Sequence, residues 1–582
     1  MQTEFGMRVY RLRTARRLTQ RRLGAMIGVS DKAVSRWETG TAIPASALLG
    51  RLAAALGTTV DTLLTGREMM LPVQESGSLP DAPDVPKSAL KGTELIRMNL
   101  IPPGTNHPTG NYFCTWGIQN AIPPRYGLVG TGCSQMRDTM TAAHLFDGDD
   151  FHPVPRAERS GLYFLLDDGW DVPMGTRNPE DSSRMGRMVP DPEKFAALGD
   201  TDDARLRAMV QRAADLGYAG LGLWVSPQRP DRPADEPADP EADRPYWANR
   251  AALSGRAGVS YWKVDWGKAC ESVAYRTMMT ECVRRYAPGL RIEHTLPIRA
   301  LTGETDGDDP HPSGMTQLLA ESDYMRTYDV VYPFRETETV LRLNWIAQRW
   351  DASRARPDAL CCINVESEPA VAAGLGLHLG IMECTPTLRG VLRWQRFAPP
   401  FSDKAAPLVC SAARLTESYE FDVDAKWWLH NAGDTMTFAI PAAMVRNTRL
   451  PDVSCAGEAP CVLASVHPRT QAFAVSALRR TNGLNPMQIC AADVTAYPAS
   501  LRAPIGVFGF YRSLTLVFPE PIPAGCTVWA QCLAADVAQD ITPRVRIDAN
   551  RLTLDGRLLR QIGRAGTGYA ERYDPMSVIV IR

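Results

Sequence analysis

Between residues 100 and 400 the chain repeats one pattern, a short run of β-branched or aromatic residues followed by a helix-length stretch. The runs are Tyr112 to Trp116, Leu162 to Asp168, Gly220 to Trp224, Tyr261 to Asp265, Ile292 to His294, Tyr324 to Asp329, Ala359 to Asn364 and Leu377 to Glu383. Apolar runs with little polar alternation are strands covered on both faces, as in a parallel sheet wrapped by helices. One intervening stretch, Asp202 to Leu216, sets Leu206, Met209, Val210 and Ala213 on a single helical face. Eight strands alternating with helices predict a closed (β/α)8 barrel. From about residue 405 the pattern shifts to short alternating runs such as Thr435 to Ile440, Leu514 to Phe518 and Ser577 to Ile581, with turn residues between them and little helix. That predicts a C-terminal antiparallel β-sandwich.

The first residues follow a third pattern. Leu23 and Ile27 lie four apart, Val34 and Trp37 three apart, so two short helices can bury these faces against each other. Thr19 and Ser30 are placed to cap the two helices with their hydroxyls, Gly28 marks the turn, and Gly24 permits close approach. Leu48 to Leu64 continues at helical spacing. The segments Leu18-Thr19-Gln20, Gly28-Val29-Ser30 and Val34 to Gly40 closely resemble the Cro and lambda-repressor type of DNA-binding domain. The resemblance implies an all-α helix-turn-helix over residues 7–66, DNA as partner, and a homodimer on paired half-sites. Asp31, Lys32, Ser35 and Arg36 would face the bases and phosphates, and Gln20 a phosphate. Arg8, Arg11, Arg13, Arg16, Arg17, Arg21 and Arg22 load this end with positive charge.

Composition then sets limits. A chain of 582 residues calls for several domains. Residues 67–94, rich in Pro, Ser, Asp and Gly, read as a linker, leaving the barrel at 95–404 and the sandwich at 405–582. The Pro-rich stretch from Pro227 to Pro245 reads as a loop, either a rim element or a plain surface insertion. The formal net charge is −1, so contact with nucleic acid must be local. The start lacks a secretory pattern and no run is long enough to span a bilayer, so the expectation is a cytoplasmic chain without a membrane partner. The 13 cysteines lack framework spacing and are expected to be reduced thiols. The 8 histidines lack paired ligand spacing; no metal and no cofactor is expected.

Candidate chemistry gathers at the strand ends. Leu165-Leu166-Asp167-Asp168-Gly169-Trp170, Tyr261 to Trp266, Ile292-Glu293-His294 and Tyr324 to Val330 each carry an acid after an apolar run, as at the active mouth of a barrel. Over roughly residues 100 to 400 these segments resemble clan D glycoside hydrolases, above all the alpha-galactosidase family that also holds alpha-N-acetylgalactosaminidases. The family's Asp-Asp-Gly-Trp strand end matches Asp167 to Trp170, and its Lys-x-Asp strand matches Lys263-Val264-Asp265. Pro357 to Leu360 and Thr385-Pro386 match more loosely.

The resemblance implies a retaining hydrolase, in which one carboxylate attacks the anomeric carbon and a protonated carboxyl, about 5 to 5.5 Å away, protonates the leaving oxygen. Asp265 is the expected nucleophile, with Lys263 two residues away favouring its charged form. Asp329 is the expected acid/base, its proton favoured by burial among Tyr324, Tyr328 and Trp266. By resemblance Asp167 and Asp168 would bind the 6- and 4-hydroxyls of a galactose-like ring, Lys263 the 3- and 4-hydroxyls, and Glu293 with Arg326 the 2-hydroxyl. Trp116 would form an apolar wall, and the acid at Glu293 favours a free 2-hydroxyl over an N-acetyl group. Two departures stand out. Only Thr327 and Tyr328 separate Arg326 from Asp329 where the family has three residues, which makes Asp323 and Glu321 alternative acids; and Trp266-Gly267-Lys268 lacks the family's cysteine. The expected activity is a galactosidase-like hydrolase carrying a DNA-binding domain, or else a regulator whose barrel only senses the sugar.

Overall fold

The computed structural model describes residues 4–15, 18–42, 44, 46–56, 98–103, 110–121, 133–177, 181–230, 232, 236–295, 312–327, 335–382, 386–420, 435–482, 485–488, 491–567 and 576–582. The chain divides into two units: Met1–Ile96 with Ser418–Met436, and Arg97–Glu417 with Thr437–Arg582. The linker expected at 67–94 and the end of the helix expected to reach Leu64 lie outside the described residues.

In the first unit four helices, α1 (Glu4–Ala15), α2 (Gln20–Ile27), α3 (Asp31–Glu38) and α4 (Ser46–Ala55), enclose Val9, Leu23, Ile27, Val34, Trp37 and Leu52. The Thr19 hydroxyl accepts from the Arg22 amide at 3.0 Å and that of Ser30 from the Ala33 amide at 3.3 Å, so each satisfies a donor that a helix start leaves open. Gly28 ends α2 at φ 79°, a left-handed conformation that costs glycine little. A Cβ on Gly24 would lie 2.6 Å from the Val29 carbonyl oxygen, so the close approach at this position is made by the α2–α3 turn. Helix α1 begins at Glu4, before the boundary expected at residue 7.

The second unit opens with the eight strands β1 (Tyr112–Cys114), β2 (Tyr163–Leu166), β3 (Gly220–Val225), β4 (Tyr261–Val264), β5 (Arg291–Thr295), β6 (Tyr324–Arg326), β7 (Cys362–Asn364) and β8 (Gly380–Ile381). They pair in parallel from β1 through β7, and β8 pairs β1. The ring closes between β7 and the residues before β8, where the Val365 amide bonds the His378 carbonyl and the His378 amide bonds the Ile363 carbonyl, both at 3.0 Å. Alternate residues point outward into the helices: Phe164, Leu166, Leu221, Leu223, Trp262, Val264 and Met325 all lie in the main core. The inward set in the lower barrel is aromatic. Tyr261 packs against Tyr112, Tyr163 and Tyr324 with ring centroids 5.4 to 5.5 Å apart.

The C-terminal strands form an eight-stranded and a five-stranded sheet that enclose a second core, including Val462, Val475, Leu514 and Leu552. The other face of the larger sheet, with Cys461, Leu463 and Phe508, packs into the barrel's core, so Cys461–Val466 is buried at every position. The expected antiparallel sandwich is in fact mixed. Ala443–Arg446 lies parallel to Cys461–Val466, Phe473–Leu478 to Ile505–Gly509, and Ala492–Ala496 to Tyr511–Val517. In each case the chain visits a strand of the facing sheet before returning, and a crossover of that kind leaves neighbours parallel. A helix at Gly556–Thr567 buries Leu558, Leu559 and Ile562 in this domain, where little helix was expected. The expected loop Pro227 to Pro245 likewise runs into the helix Pro240–Ala257, which Asp239 caps with Pro240 in its first turn. Among the described residues no helix is long and apolar enough to cross a membrane.

Candidate functional site

In the first unit Asp31, Lys32 and Arg36 on α3 are exposed and Ser35 is half-buried, so this face presents the residue types expected to meet DNA. Arg11, Arg21 and Arg22 are exposed as well. Arg13, one of the arginines expected to load this end with positive charge, turns its guanidinium inward to the carboxylate of Glu38, at 2.5 and 3.0 Å. Gln20 donates its amide nitrogen to the same carboxylate at 2.7 Å. Burial of Glu38 requires partners, and these two side chains supply them, tying α1 and α2 to the end of α3. Arg16 and Arg17 lie outside the described residues.

In the barrel, strand alternation sends Lys263 and the following Asp265 inward from β4, Glu293 from β5, Arg326 from β6 and Asp167 from the end of β2. These side chains meet. The Lys263 ammonium lies 2.9 Å from Asp167 Oδ2 and 3.8 Å from Asp265 Oδ2. The Arg326 guanidinium lies 2.8 Å from Asp265 Oδ2 and 3.5 Å from Glu293 Oε1. Trp224, from β3, donates its indole N–H to Asp265 Oδ2 at 3.2 Å. None of the bonds described reaches Asp265 Oδ1, and the Asp265 side chain, 9% exposed, is more open than those of Asp167 (4%) and Glu293 (0%). Trp116 is half-buried against the inward aromatic cluster, where the chain leaves β1.

Two residues that sequence reasoning passed over complete the cluster. Asn364, on β7, donates to Glu293 Oε2 at 2.8 Å. Two positions on, Glu366 lies 3.1 Å from the Lys263 ammonium and also pairs with Arg326. The Tyr112 hydroxyl stands between Glu366 and Glu293, at 3.1 and 3.2 Å, and Tyr261 donates to Glu293 at 2.8 Å. The signal for Glu366 is the one used for the other strands, an apolar run closing on an acid. Here the expected strand stopped at Asn364, two residues short.

Four carboxylates, Asp167, Asp265, Glu293 and Glu366, therefore face two cations, Lys263 and Arg326, in a buried space. The imbalance affects titration. Burial, then the charge of Glu366, outweighs Arg326 and raises Glu293 to about 7. Burial alone would lower the Lys263 ammonium, but Asp167 and Glu366 beside it raise it well above its usual value. Cys114 is a neutral thiol, raised by burial and by Asp167, to whose Oδ2 it donates at 2.9 Å.

Asp168 stands apart from this set. Alternation turns it away from Asp167, and Arg137 takes both its oxygens at 2.9 and 2.5 Å in a pair whose side chains are each 1% exposed. Both its oxygens accept from Arg137, which sets it apart from the other residues expected at the sugar hydroxyls. Asp329 and Tyr328 lie outside the described residues. Neither alternative acid is in the cluster. Asp323 is bound by Arg284, Arg291 and the Ile292 amide before β6 begins, and Glu321 accepts from Thr277 and Gln317 at the end of a helix. Of the two described rings expected around Asp329, Tyr324 sits in the lower aromatic layer against Tyr261, and Trp266 packs on Trp224 at 6.0 Å near the strand tips.

Residues 9–63 match the helix-turn-helix family model. Over 67 residues the chain is 36% identical to the HTH-type transcriptional activator BcrR of Enterococcus faecalis, covering 12% of this chain and 33% of BcrR. The chain thus spans about a third of the length of that curated relative. Among solved structures it is similar to the P22 c2 repressor in complex with a synthetic operator, at 35% identity over 11% of this chain and 98% of the repressor, with a TM-score of 0.11. A family 27 β-L-arabinopyranosidase from Geobacillus stearothermophilus is similar at 10% identity over 81% of this chain and 96% of that enzyme, with a TM-score of 0.35. The N-terminal segment is a helix-turn-helix domain of the Cro and repressor type. It is joined in one chain to an eight-stranded parallel barrel whose strand ends collect a buried carboxylate cluster, and to a β-sandwich.

Proposed function

We propose that this chain is a retaining glycoside hydrolase, specific for a galactose-like sugar, that carries its own sequence-specific DNA-binding domain. The observation that carries the reading is the convergence of Asp167, Lys263, Asp265, Glu293 and Arg326 from four separate strands at one end of the barrel. Asp265 takes the nucleophile's part. Arg326 and Trp224 hold Oδ2 and fix the side chain's orientation, while Oδ1 is left to attack the anomeric carbon. Asp329 gives its proton to the leaving oxygen, then takes one from the water that cleaves the glycosyl ester, so that configuration is retained. Lys263 and Arg326 orient the ring through its hydroxyls, with Trp116 as an apolar wall. DNA is met by Lys32, Ser35, Arg36 and Asp31, with Gln20 near the backbone, in a homodimer, and a DNA partner places the chain in the cytoplasm.

Turnover of aryl alpha-galactoside and aryl beta-L-arabinopyranoside, which share ring stereochemistry, tests this, with Asp265→Asn as control. The expected result is hydrolysis that falls about a thousandfold or more in the variant. Hydrolysis unchanged in Asp265→Asn would remove the nucleophile assignment. A second reading, a regulator whose barrel binds the sugar without cleaving it, is favoured by the ion pair of Arg326 with Asp265 Oδ2 at 2.8 Å, which makes that carboxylate a weaker nucleophile. No turnover, with galactose still raising the melting temperature, would select it.

A further inference from the structure

We infer that Glu366 is a resident competitor for the sugar, its carboxylate occupying the Lys263 and Arg326 donors that a glycone's hydroxyls need, and that it thereby determines which sugars the pocket admits. The inference rests on the carbohydrate-pocket reading. It starts from charge. In a purely structural ion pair, carboxylates and cations pair off, because an unmatched buried charge is costly. Asp167 already meets Lys263, and Asp265 and Glu293 already meet Arg326. Glu366 is therefore a surplus acid: without it, three carboxylates would still face the two cations and neither cation would lose its last partner.

Position gives the second reason. Asn364 is the register partner of Arg326 across β6 and β7. Glu366 follows two residues on, in the turn that leaves β7 at the C-terminal end where barrel sites open. From there it reaches back to Lys263 at 3.1 Å and to Arg326, bridging the two donors. An ammonium has three N–H groups, and those of Lys263 already face Asp167 at 2.9 Å, Glu366 at 3.1 Å and the Cys114 sulfur at 3.7 Å. A neutral hydroxyl arriving at Lys263 or Arg326 must displace a charge-assisted contact, and it exchanges a strong bond for a weaker one. Sugars that leave these donors alone escape that penalty.

The test is isothermal titration of the full-length protein with D-galactose and with L-arabinose, for the wild type, Glu366→Ala and Glu366→Gln, beside thermal melts. Relief of one charge-assisted contact should tighten binding about tenfold in Glu366→Ala. Glu366→Gln, which keeps the volume but loses the charge, should bind tighter than wild type by a smaller factor. A purely structural role would weaken binding in both variants. Should Glu366→Ala not fold, Glu366→Gln decides alone. Wild-type binding that is unchanged or weakened in the folded variants overturns the inference and leaves the pocket reading standing. Absence of binding to either sugar in all three proteins overturns both.

Discussion

Glu293 is fully buried and held near pKa 7, and this makes the barrel's stability depend on pH in a way one substitution can isolate. The folded protein keeps a proton on Glu293 that the unfolded chain, with its ordinary value of 4.5, has released. The stability tied to that proton is fully present below pH 4.5 and is lost as the pH rises through about 7. At about 1.4 kcal/mol per pKa unit, the span from 4.5 to about 7 amounts to about 3 kcal/mol. Other groups titrate in the same window. Asp171 and Asp403, each raised by burial to about 6, act in the same direction, while His152 and His467, each lowered by burial to about 4, act in the opposite one. They are common to wild type and Glu293→Gln, so the difference between the two proteins is the diagnostic quantity. Burial raises Glu293 most, and Arg326, Glu366, Tyr261 and Lys263 around it adjust the value. The assay is urea unfolding followed by tryptophan fluorescence from pH 4.5 to 7.5. The amide adds a constant offset, because its nitrogen replaces an acceptor that faces Tyr261 and Asn364 at one oxygen position or Tyr112 and Arg326 at the other. The stability of wild type relative to the variant should fall by about 3 kcal/mol across the range. A difference flat to within about 0.5 kcal/mol would refute the reasoning, since Glu293 would then be ionised in the fold at little cost.

Two further outcomes follow from the same accounting. Ser30→Ala removes the cap of α3 and should cost the helix-turn-helix about 1 kcal/mol, seen as faster hydrogen exchange of the α3 amides in the full-length chain; unchanged exchange would mean that the cap is redundant. Arg137→Met strands the buried Asp168 carboxylate and should destabilise the second unit by about 3 to 5 kcal/mol at pH 7.5. Burial already raises Asp168, so the loss should shrink at pH 5, where the carboxyl can take a proton, and adding Asp168→Asn should recover much of it at either pH.

The local elements were readable because their causes are local. The capping hydroxyls of Thr19 and Ser30, the left-handed glycine at 28 and the paired faces of Leu23 with Ile27 and Val34 with Trp37 are all set within a few residues, and the structure places them as the spacing predicts. The eight barrel strands were found for a similar reason: a strand covered on both faces needs an unbroken apolar run, whatever it pairs with. The helix Gly556–Thr567 was missed for the converse reason. Its apolar residues Leu558, Leu559 and Ile562 make a narrow stripe in an arginine-rich segment and gain their value only from the strands beneath.

What the sequence by itself determined is the order of domains, the strands that end in acids, and the inward direction of Lys263, Asp265, Glu293 and Arg326, since alternation along a strand decides direction. What only the tertiary structure decided is which partner each charge meets. Arg137 claims Asp168 from 31 residues away, Arg13 turns inward to Glu38 across 25, and Glu366 reaches Lys263 and Arg326 from the turn that follows β7, three strands around the ring from β4. Those meetings depend on barrel closure and strand register, which are long-range properties. In a buried space the energy of a charge is fixed by its neighbours within a few ångströms, however distant those neighbours are along the chain.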